Sequence, residues 1–180
     1  MIFSSEDIRK ALADGQLVIE PPPNDGMFST SSVDLRLGNR FTIFDSPSHD
    51  AGVFVTIGTS EPEEIANRFG QRVDISLSSY LELKPGQFIL ADTMERVELP
   101  LSLAARVEGK SSLARFGLSI HQTAPTIHAD FRGTIRLEIS NVGPFVCRLT
   151  PGIPICQLIV EELKSPAIEP LRSRFQDQNP

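Results

Sequence analysis

The sequence predicts a mainly β protein, a sandwich or barrel that carries a few short helices. Short apolar segments recur from residue 73 to residue 161, and most are bounded by Gly or Pro. Several segments alternate apolar and polar residues, which is the two-residue period of a half-buried strand. Helical patterns are confined to brief stretches. Short strands separated by turn residues are typical of β sandwiches and barrels.

The first helix is predicted by a capping pattern near the N-terminus. Ser4-Ser5-Glu6-Asp7 precedes apolar residues at helical spacing, and Gly15 supplies a stop. The acidic residues also lie favourably against the positive end of the helix dipole. After this helix, Pro21-Pro22-Pro23 and Asn24-Asp25-Gly26 predict an extended segment that enters a turn.

The remaining elements follow from alternation and from turn residues. Between residues 31 and 44, Val33, Leu35 and Leu37 alternate with polar residues, which predicts a long strand. Residues 45–60 predict a loop around a brief strand at 53–55, and residues 60–70 predict a short helix that ends at Gly70. Further strands are predicted at Val73–Leu77, Tyr80–Leu83, Phe88–Ala91, Arg96–Leu99, Thr134–Ser140, Phe145–Leu149 and Ile155–Glu161.

The totals favour a single globular domain. With 180 residues, 40% apolar and 22% charged, the chain has ordinary globular composition and enough length for one core. We expect residues 1–165 to form this domain and residues 166–180 to form a flexible tail, a possible lid over the site. No apolar run approaches the ~20 residues of a membrane span, and the N-terminus lacks a signal-peptide pattern. A cytoplasmic protein without a membrane partner is therefore expected.

Charge and cysteine content indicate which kinds of ligand and cross-link to expect. The net charge of −6 argues against a nucleic-acid polymer as partner. Residues 105–141, however, carry five basic and three acidic side chains, a balance that suits a small anion. Cys147 and Cys156 lie in predicted strands and are expected to be small buried residues, not a disulfide.

A possible anion site is predicted in Gly109–Gly117. Two serines open a helical turn there, so free backbone N–H groups and the charge of Lys110 would face a ligand such as phosphate. Ser111 and Arg115 are four residues apart and share a helix face. The alternative is that Ser111 and Ser112 form an ordinary helix cap.

A candidate general base is predicted on the strand Thr134–Ser140. Alternation sends Ile135, Leu137 and Ile139 into the core and Thr134, Arg136, Glu138 and Ser140 to the opposite face. Glu138 thus lies between apolar neighbours and would suit proton transfer if it lines a pocket. The alternative is a cross-strand ion pair on a solvated face.

Two catalytic designs are excluded by spacing. No histidine is followed two residues later by glutamate, and the two cysteines are too far apart for the Cys-x-x-Cys of zinc-dependent base deaminases. No bound zinc is therefore expected. The full Gly-x-x-x-x-Gly-Lys-Ser/Thr loop of P-loop proteins and the Gly-x-Ser-x-Gly elbow of hydrolases are also missing from the sequence.

Taken together, the motifs resemble those of dCTP deaminases, within the wider dUTP diphosphatase-like superfamily. The resemblance covers nearly the whole chain. It is carried by Ser31–Leu37, Gly109–Arg115, His121 with Thr123-Ala124, Gly133–Asn141, and Pro151-Gly152 before Gln157-Leu158.

The resemblance implies a distorted jelly-roll-type β-barrel of dUTPase-like fold, assembled as a homotrimer with sites shared between subunits. It also implies hydrolytic deamination of dCTP to dUTP and ammonia, without zinc and with Mg²⁺ carried on the triphosphate. Binding of dTTP or dUTP as a further ligand would fit the same family.

Site residues follow from matching positions. By this resemblance Glu138 would be the general base and proton shuttle, while Ser111 and Arg115 would hold the attacking water and stabilise the tetrahedral centre. The main chain around Arg136 would read the cytosine edge. The full set of expected substrate-binding residues is Lys110, Ser112, Ala124, His128, Arg136, Leu137, Arg174 and Gln178.

Three positions depart from the family pattern. Ile127-His128 stands where Ile-Asp is usual, and the missing aspartate contacts the sugar and activates water in diphosphatase relatives. Pro125-Thr126 matches neither deaminases nor bifunctional members, and Leu171 replaces a tyrosine. These departures leave two alternatives open: a bifunctional deaminase and diphosphatase that forms dUMP and pyrophosphate, or a non-catalytic trimeric nucleotide-binding protein.

Overall fold

The structure is a computed structural model that describes residues 1–44 and 54–170. Three α-helices lie in this part of the chain: α1 (Ser5–Ala13), α2 (Pro62–Phe69) and α3 (Ser111–Ala114). A 3-10 turn follows at Asp25–Met27. The strands are β1 (Val18–Glu20), β2 (Val33–Phe44), β3 (Gly70–Asp74), β4 (Leu81–Leu83), β5 (Phe88–Glu98), β6 (Leu103–Gly109), β7 (Leu118–Ser119), β8 (Thr126–Ile127), β9 (Arg132–Asn141), β10 (Cys147–Leu149) and β11 (Pro154–Glu162).

Nine strands form one curled antiparallel sheet. Its order is β7-β9-β5-β2-β11-β6-β8, with β1 added beside β5 and β3 beside β2. β4 and β10 form a separate pair, in which Arg148 lies 4.4 Å above the ring of Tyr80 and donates to Glu82. The prediction of a mainly β, barrel-type protein with a few short helices is confirmed.

The core lies inside the curled sheet and is filled by the inward side chains of alternating strands. Val33, Leu35 and Leu37 of β2 are fully buried, as the alternation predicted. Each such side chain contributes roughly 1.5–3 kcal/mol when it leaves water. The helix α1 covers part of the core with Ile8 and Ala11. None of the helices in the described ranges is long and apolar enough to cross a membrane.

The helix α1 begins as its capping pattern predicted. Ser4 Oγ accepts a hydrogen bond from Asp7 N at 3.2 Å, and the Asp7 carboxylate accepts from Ser4 N at 3.0 Å. Hydrogen bonds from the Ser4 side chain and backbone lower the pKa of Asp7 from its ordinary value of 3.8. Gly15, with φ of 68°, follows the end of the helix.

The two strands predicted at 88–91 and 96–99 form one strand, β5. Its register shifts against β9 between Asp92 and Arg96. In this bulge Thr93 Oγ1 donates to Glu95 O and accepts from Ile135 N, and the Glu95 carboxylate accepts from Arg36 N and Nε at 2.7 and 2.6 Å. The polar residues that predicted a break are therefore buried and satisfied inside a continuous strand.

Other boundaries also differ from the prediction. β1, β6, β7 and β8 were not predicted, and the predicted strand Val73–Leu77 lies earlier, at Gly70–Asp74. Phe54 and Val55 are not in a strand, and Val53 lies outside the described residues. Within the predicted tail, Ala167 N donates to Leu101 O. Residues 171–180 lie outside the described ranges, so the lid stays a prediction.

The two cysteines are free, as predicted. Cys156 is completely buried, and this burial raises the pKa of its thiol. Cys147 is only half-buried.

Candidate active site

The helix α3 begins directly after β6. Lys110 occupies the N-cap position, and Leu113 N and Ala114 N donate to Lys110 O. The predicted helical turn at the two serines is therefore confirmed. Ser111, Ser112 and Arg115 are exposed, so their polar groups are accessible to a ligand.

Lys110 has a partner within the chain. Its Nζ lies 2.5 Å from Asp34 Oδ2, and both side chains are mostly buried, with 22% and 13% of their surface exposed. This ion pair ties the start of α3 to β2. The positive charge expected at the phosphates is thus already balanced by a carboxylate, and the phosphate role of Lys110 stays a prediction.

Glu138 lies on the outer face of β9, as the alternation predicted. Its side chain is half-buried, and Leu90 is its cross-strand neighbour on β5. Its carboxylate Oε2 accepts a hydrogen bond from Gln122 N at 3.1 Å, and its own N–H donates to Ile120 O. Glu138 makes no ion pair within residues 1–44 and 54–170. The alternative of a cross-strand ion pair is therefore wrong for Glu138.

Arg136, a neighbour of Glu138 on the same face of β9, forms an ion pair with Asp92. Its Nε donates to Asp92 Oδ1 at 2.6 Å. Leu137 is 1% exposed, so its side chain lies in the core and its role as a substrate-binding residue stays a prediction. β7 pairs with β9 only as far as Ser140. Backbone groups alternate in direction along a strand, so the main-chain N–H and C=O of Arg136 face the same side of β9 as β7 does. They lie further along β9 than the part that Gln122 contacts. This geometry suits the expected reading of a base edge.

Gln122 makes two hydrogen bonds to the candidate base Glu138 and a third to Ser140, and it was not predicted. Besides its N–H, its side-chain Nε2 donates to Glu138 O at 3.3 Å and to Ser140 Oγ at 2.9 Å. No local pattern could reveal this role, because it depends on how residues 118–122 lie along β9.

A close backbone approach brings α3 and β9 together. Gly117, with φ of 88°, packs against Gly143, and Val142 N donates to Gly117 O at 2.8 Å. Ile120 extends toward Gly109, the last residue of β6, which lies just before α3. The residues around Ser111 and those around Glu138 therefore lie at the same part of the molecule. In the described ranges, no hydrogen bond or ion pair joins Glu138 directly to Ser111 or Arg115.

The segment that departs from the family pattern is held against β6. Thr126 pairs with Arg106, and Pro125 O accepts from Val107 N. Ala124 and His128 are exposed. Asp130, two residues after His128, adopts φ of 65° and lies 3.5 Å from Arg132.

Two cavities lie away from these residues. One, of about 470 Å³, lies beside α1 and is mostly apolar; the other, of about 120 Å³, lies between β2 and β5 and includes Asp92 and Thr134. Ser111, Arg115 and Glu138 line neither of them. Ser111 and Arg115 lie on the exposed surface of the single chain, and Glu138 is half-buried.

The predictions also concern a metal ion and two residues of the C-terminal tail. In the part of the chain that the structure describes, no three His, Cys, Asp or Glu side chains gather in a way that would hold a metal ion. Arg174 and Gln178 lie outside this part. Their contact with a triphosphate, and Mg²⁺ carried on that triphosphate, stay predictions.

Comparisons with known proteins match nearly the whole chain to one family. The profile of a family described as dCTP deaminase-like matches residues 2–163. A dCTP deaminase of Halorubrum lacusprofundi is 40% identical over 99% of this chain and 88% of its own length. A protein of Halobacterium salinarum named "dCTP deaminase, dUMP-forming" is also 40% identical, over 99% of this chain and 91% of its own.

A crystal structure shares the fold. That of 2'-deoxycytidine 5'-triphosphate deaminase from Agrobacterium tumefaciens superposes with a TM-score of 0.67 and 24% identity over 88% of this chain. The match covers 47% of that protein, so this chain spans about half its length. With the profile match and the two relatives, these findings show that the chain belongs to the dCTP deaminase-like family.

Proposed function

We propose that the chain deaminates dCTP hydrolytically to dUTP and ammonia. The observation that carries the proposal is the environment of Glu138 in a member of this family. Its half-buried carboxylate has one oxygen held by Gln122 N–H, which leaves Oε1 to meet a water molecule. A carboxylate with one oxygen fixed and the other open is suited to general base catalysis.

The proton transfers balance in two steps. Glu138 removes a proton from water as the hydroxide oxygen bonds to C4 of cytosine, which forms a tetrahedral centre. In the second step Glu138 returns this proton to the amino nitrogen, the C4–N bond breaks to release ammonia, and the remaining hydroxyl proton moves to N3 as the C4 carbonyl of uracil forms. Ser111 and Arg115 stabilise the charge that develops during attack, because hydroxyl and guanidinium donors favour the charged transition state over the ground state.

The triphosphate would bring Mg²⁺ with it. The ion neutralises the phosphate charge, and the phosphate oxygens are the hard ligands that it prefers. The sparse carboxylates near α3, with Asp34 already paired to Lys110, fit a metal carried by the substrate better than one bound by the protein. Ser112 would contact the phosphates through its hydroxyl.

The active assembly would be a homotrimer with shared sites. Ser111 and Arg115 are exposed, and neither of the two cavities described above is lined by Ser111, Arg115 or Glu138. Deamination needs a site that holds the base and excludes bulk water. A neighbouring subunit would supply the missing wall.

A second candidate is direct formation of dUMP and pyrophosphate. The 40% identity to a relative named dUMP-forming favours it. His128 weakens it, because a histidine stands where the water-activating aspartate is expected. Asp130 is the nearest carboxylate in the sequence and would have to take over this role.

The test is an incubation with dCTP and Mg²⁺ in which dUTP, dUMP, ammonia and pyrophosphate are followed together. We expect dUTP and ammonia in equal amounts. Glu138→Gln should lower kcat by on the order of 10²-fold or more, because the general base is lost. Glu82→Gln, on the distant β4–β10 pair, is the matched control and should retain activity.

Three results would contradict the proposal. Full activity of Glu138→Gln would remove the assigned base. Pyrophosphate released in step with ammonia would favour the second candidate. Tight binding of dCTP without turnover would indicate a non-catalytic nucleotide-binding protein.

A further inference from the structure

Gln122 holds Glu138 through both its main chain and its side chain. The main-chain N–H donates to Glu138 Oε2 at 3.1 Å, and Nε2 donates to Glu138 O at 3.3 Å and to Ser140 Oγ at 2.9 Å. The side-chain amide of Gln122 therefore binds the main chain of Glu138, and the main-chain N–H of Gln122 binds the Glu138 carboxylate.

The hydrogen bonds of Gln122 begin where the regular pairing of β7 with β9 ends. β7 pairs with β9 only through Leu118 and Ser119, and the Glu138 N–H to Ile120 O bond is the last main-chain link between the segments. Ser119 Oγ also donates to His121 O, but this hydrogen bond lies within the segment and does not reach β9. The side chain of Gln122 is what ties the end of the segment back to β9.

We propose that Gln122 is a positioning residue that fixes the orientation of the Glu138 carboxylate. Its side chain anchors residue 122 against β9, and the anchored N–H then holds Oε2 so that Oε1 points to the attacking water. This inference rests on the proposed function, because it assigns Gln122 a role only through Glu138 as base. Catalytic geometry is sensitive to displacements of about 1 Å.

The exposure of Gln122 separates positioning from folding. The residue is exposed, and exposed substitutions usually change stability little. The loss of its amide should therefore affect turnover much more than the melting temperature.

The first test is Gln122→Met, which keeps the length of the side chain and removes its donors. We expect kcat for dCTP to fall roughly tenfold while KM stays within about twofold, because a displaced base slows chemistry without weakening substrate binding. Gln71→Met, at an exposed position on β3, is the matched control and should match the wild type.

The second test uses Ser140→Ala and the double variant. Since Ser140 Oγ acts as the acceptor for Nε2, Ser140→Ala should lower kcat less than Gln122→Met does. The double variant should be no slower than Gln122→Met alone, because both changes remove the same link. Independent, multiplicative losses would overturn the proposal.

A third readout does not require activity. Hydrogen–deuterium exchange of residues 119–123 should become faster in Gln122→Met and stay unchanged in Gln71→Met. Unchanged exchange, unchanged kcat, or a rise in KM with constant kcat would each overturn the inference. Glu138→Gln is measured in parallel, so that failure of the Gln122 inference can be distinguished from failure of the proposed function. If Glu138→Gln is inactive and Gln122→Met is fully active, only the role of Gln122 is rejected.

Discussion

Among the ion pairs of residues 1–44 and 54–170, the most completely buried one joins β2 to the bulge of β5. The Glu95 side chain is 0% exposed, and it accepts two hydrogen bonds from Arg36, one from the main chain and one from the guanidinium. A carboxylate buried in this way is tolerated because its charge and its hydrogen-bonding capacity are both met.

Removal of Arg36 should therefore be costly. Arg36→Met leaves the Glu95 charge uncompensated, and we expect a loss of about 3–5 kcal/mol in the free energy of unfolding. Arg148→Met, which breaks the exposed pair with Glu82, should cost about 1 kcal/mol or less. Urea denaturation of both variants measures the difference. Equal losses would mean that burial does not set the strength of the Arg36–Glu95 pair.

At the scale of elements, the contact between Gly117 and Gly143 joins α3 to the end of β9. A Cβ on Gly117 would collide with the backbone of Gly143, and φ of 88° is unfavourable for any other residue. This contact places the two halves of the candidate site beside each other, so its loss should affect both stability and activity.

Gly117→Ala tests this contact against a matched glycine. Gly86 has φ of 79° but open space around its Cβ position. Gly86→Ala should cost only the backbone strain, on the order of 1 kcal/mol. Gly117→Ala should cost clearly more and should lower deaminase activity in the folded fraction. Thermal unfolding with activity assays measures both effects, and equal shifts in Tm would argue against a tight joint.

Alternation predicted those elements whose two faces differ clearly. β2, β9 and β11 each place apolar residues inside and polar residues outside, and their positions follow from the sequence. β6 was missed, although Leu103, Ala105 and Val107 alternate, because alanine is a weak indicator of a strand. β5 was divided in two because a polar bulge imitates a turn.

The same limit applies to the candidate site. The outward direction of Glu138 follows from alternation, and the helical turn at Ser111 follows from its glycine and serine pattern. The contacts of Gln122, the Lys110–Asp34 pair and the Arg136–Asp92 pair join segments far apart in sequence. They depend on strand register, which local patterns do not specify.

For the whole molecule, the open candidate site makes subunit sharing testable. Glu138→Gln and Arg115→Ala should each be inactive as pure proteins. If each site takes Glu138 from one subunit and Arg115 from a neighbour, random assembly of equal amounts restores ~25% of the sites. Co-expression of the two variants followed by the dCTP assay measures this recovery.

The control is co-expression of wild type with the double variant, which carries both changes in one chain. Sites built within single chains would give no recovery from the two single variants. The mass of the assembly, from light scattering, tests the homotrimer independently.

The stacking of Arg148 on Tyr80 has an optical consequence. The chain has one tyrosine and no tryptophan, so its tyrosine emission near 300 nm originates beside the β4–β10 pair. This signal reports the opening of one local structure and not the loss of the main sheet. The same composition leaves the protein almost transparent at 280 nm, so the ultraviolet change from cytosine to uracil can be followed with little background.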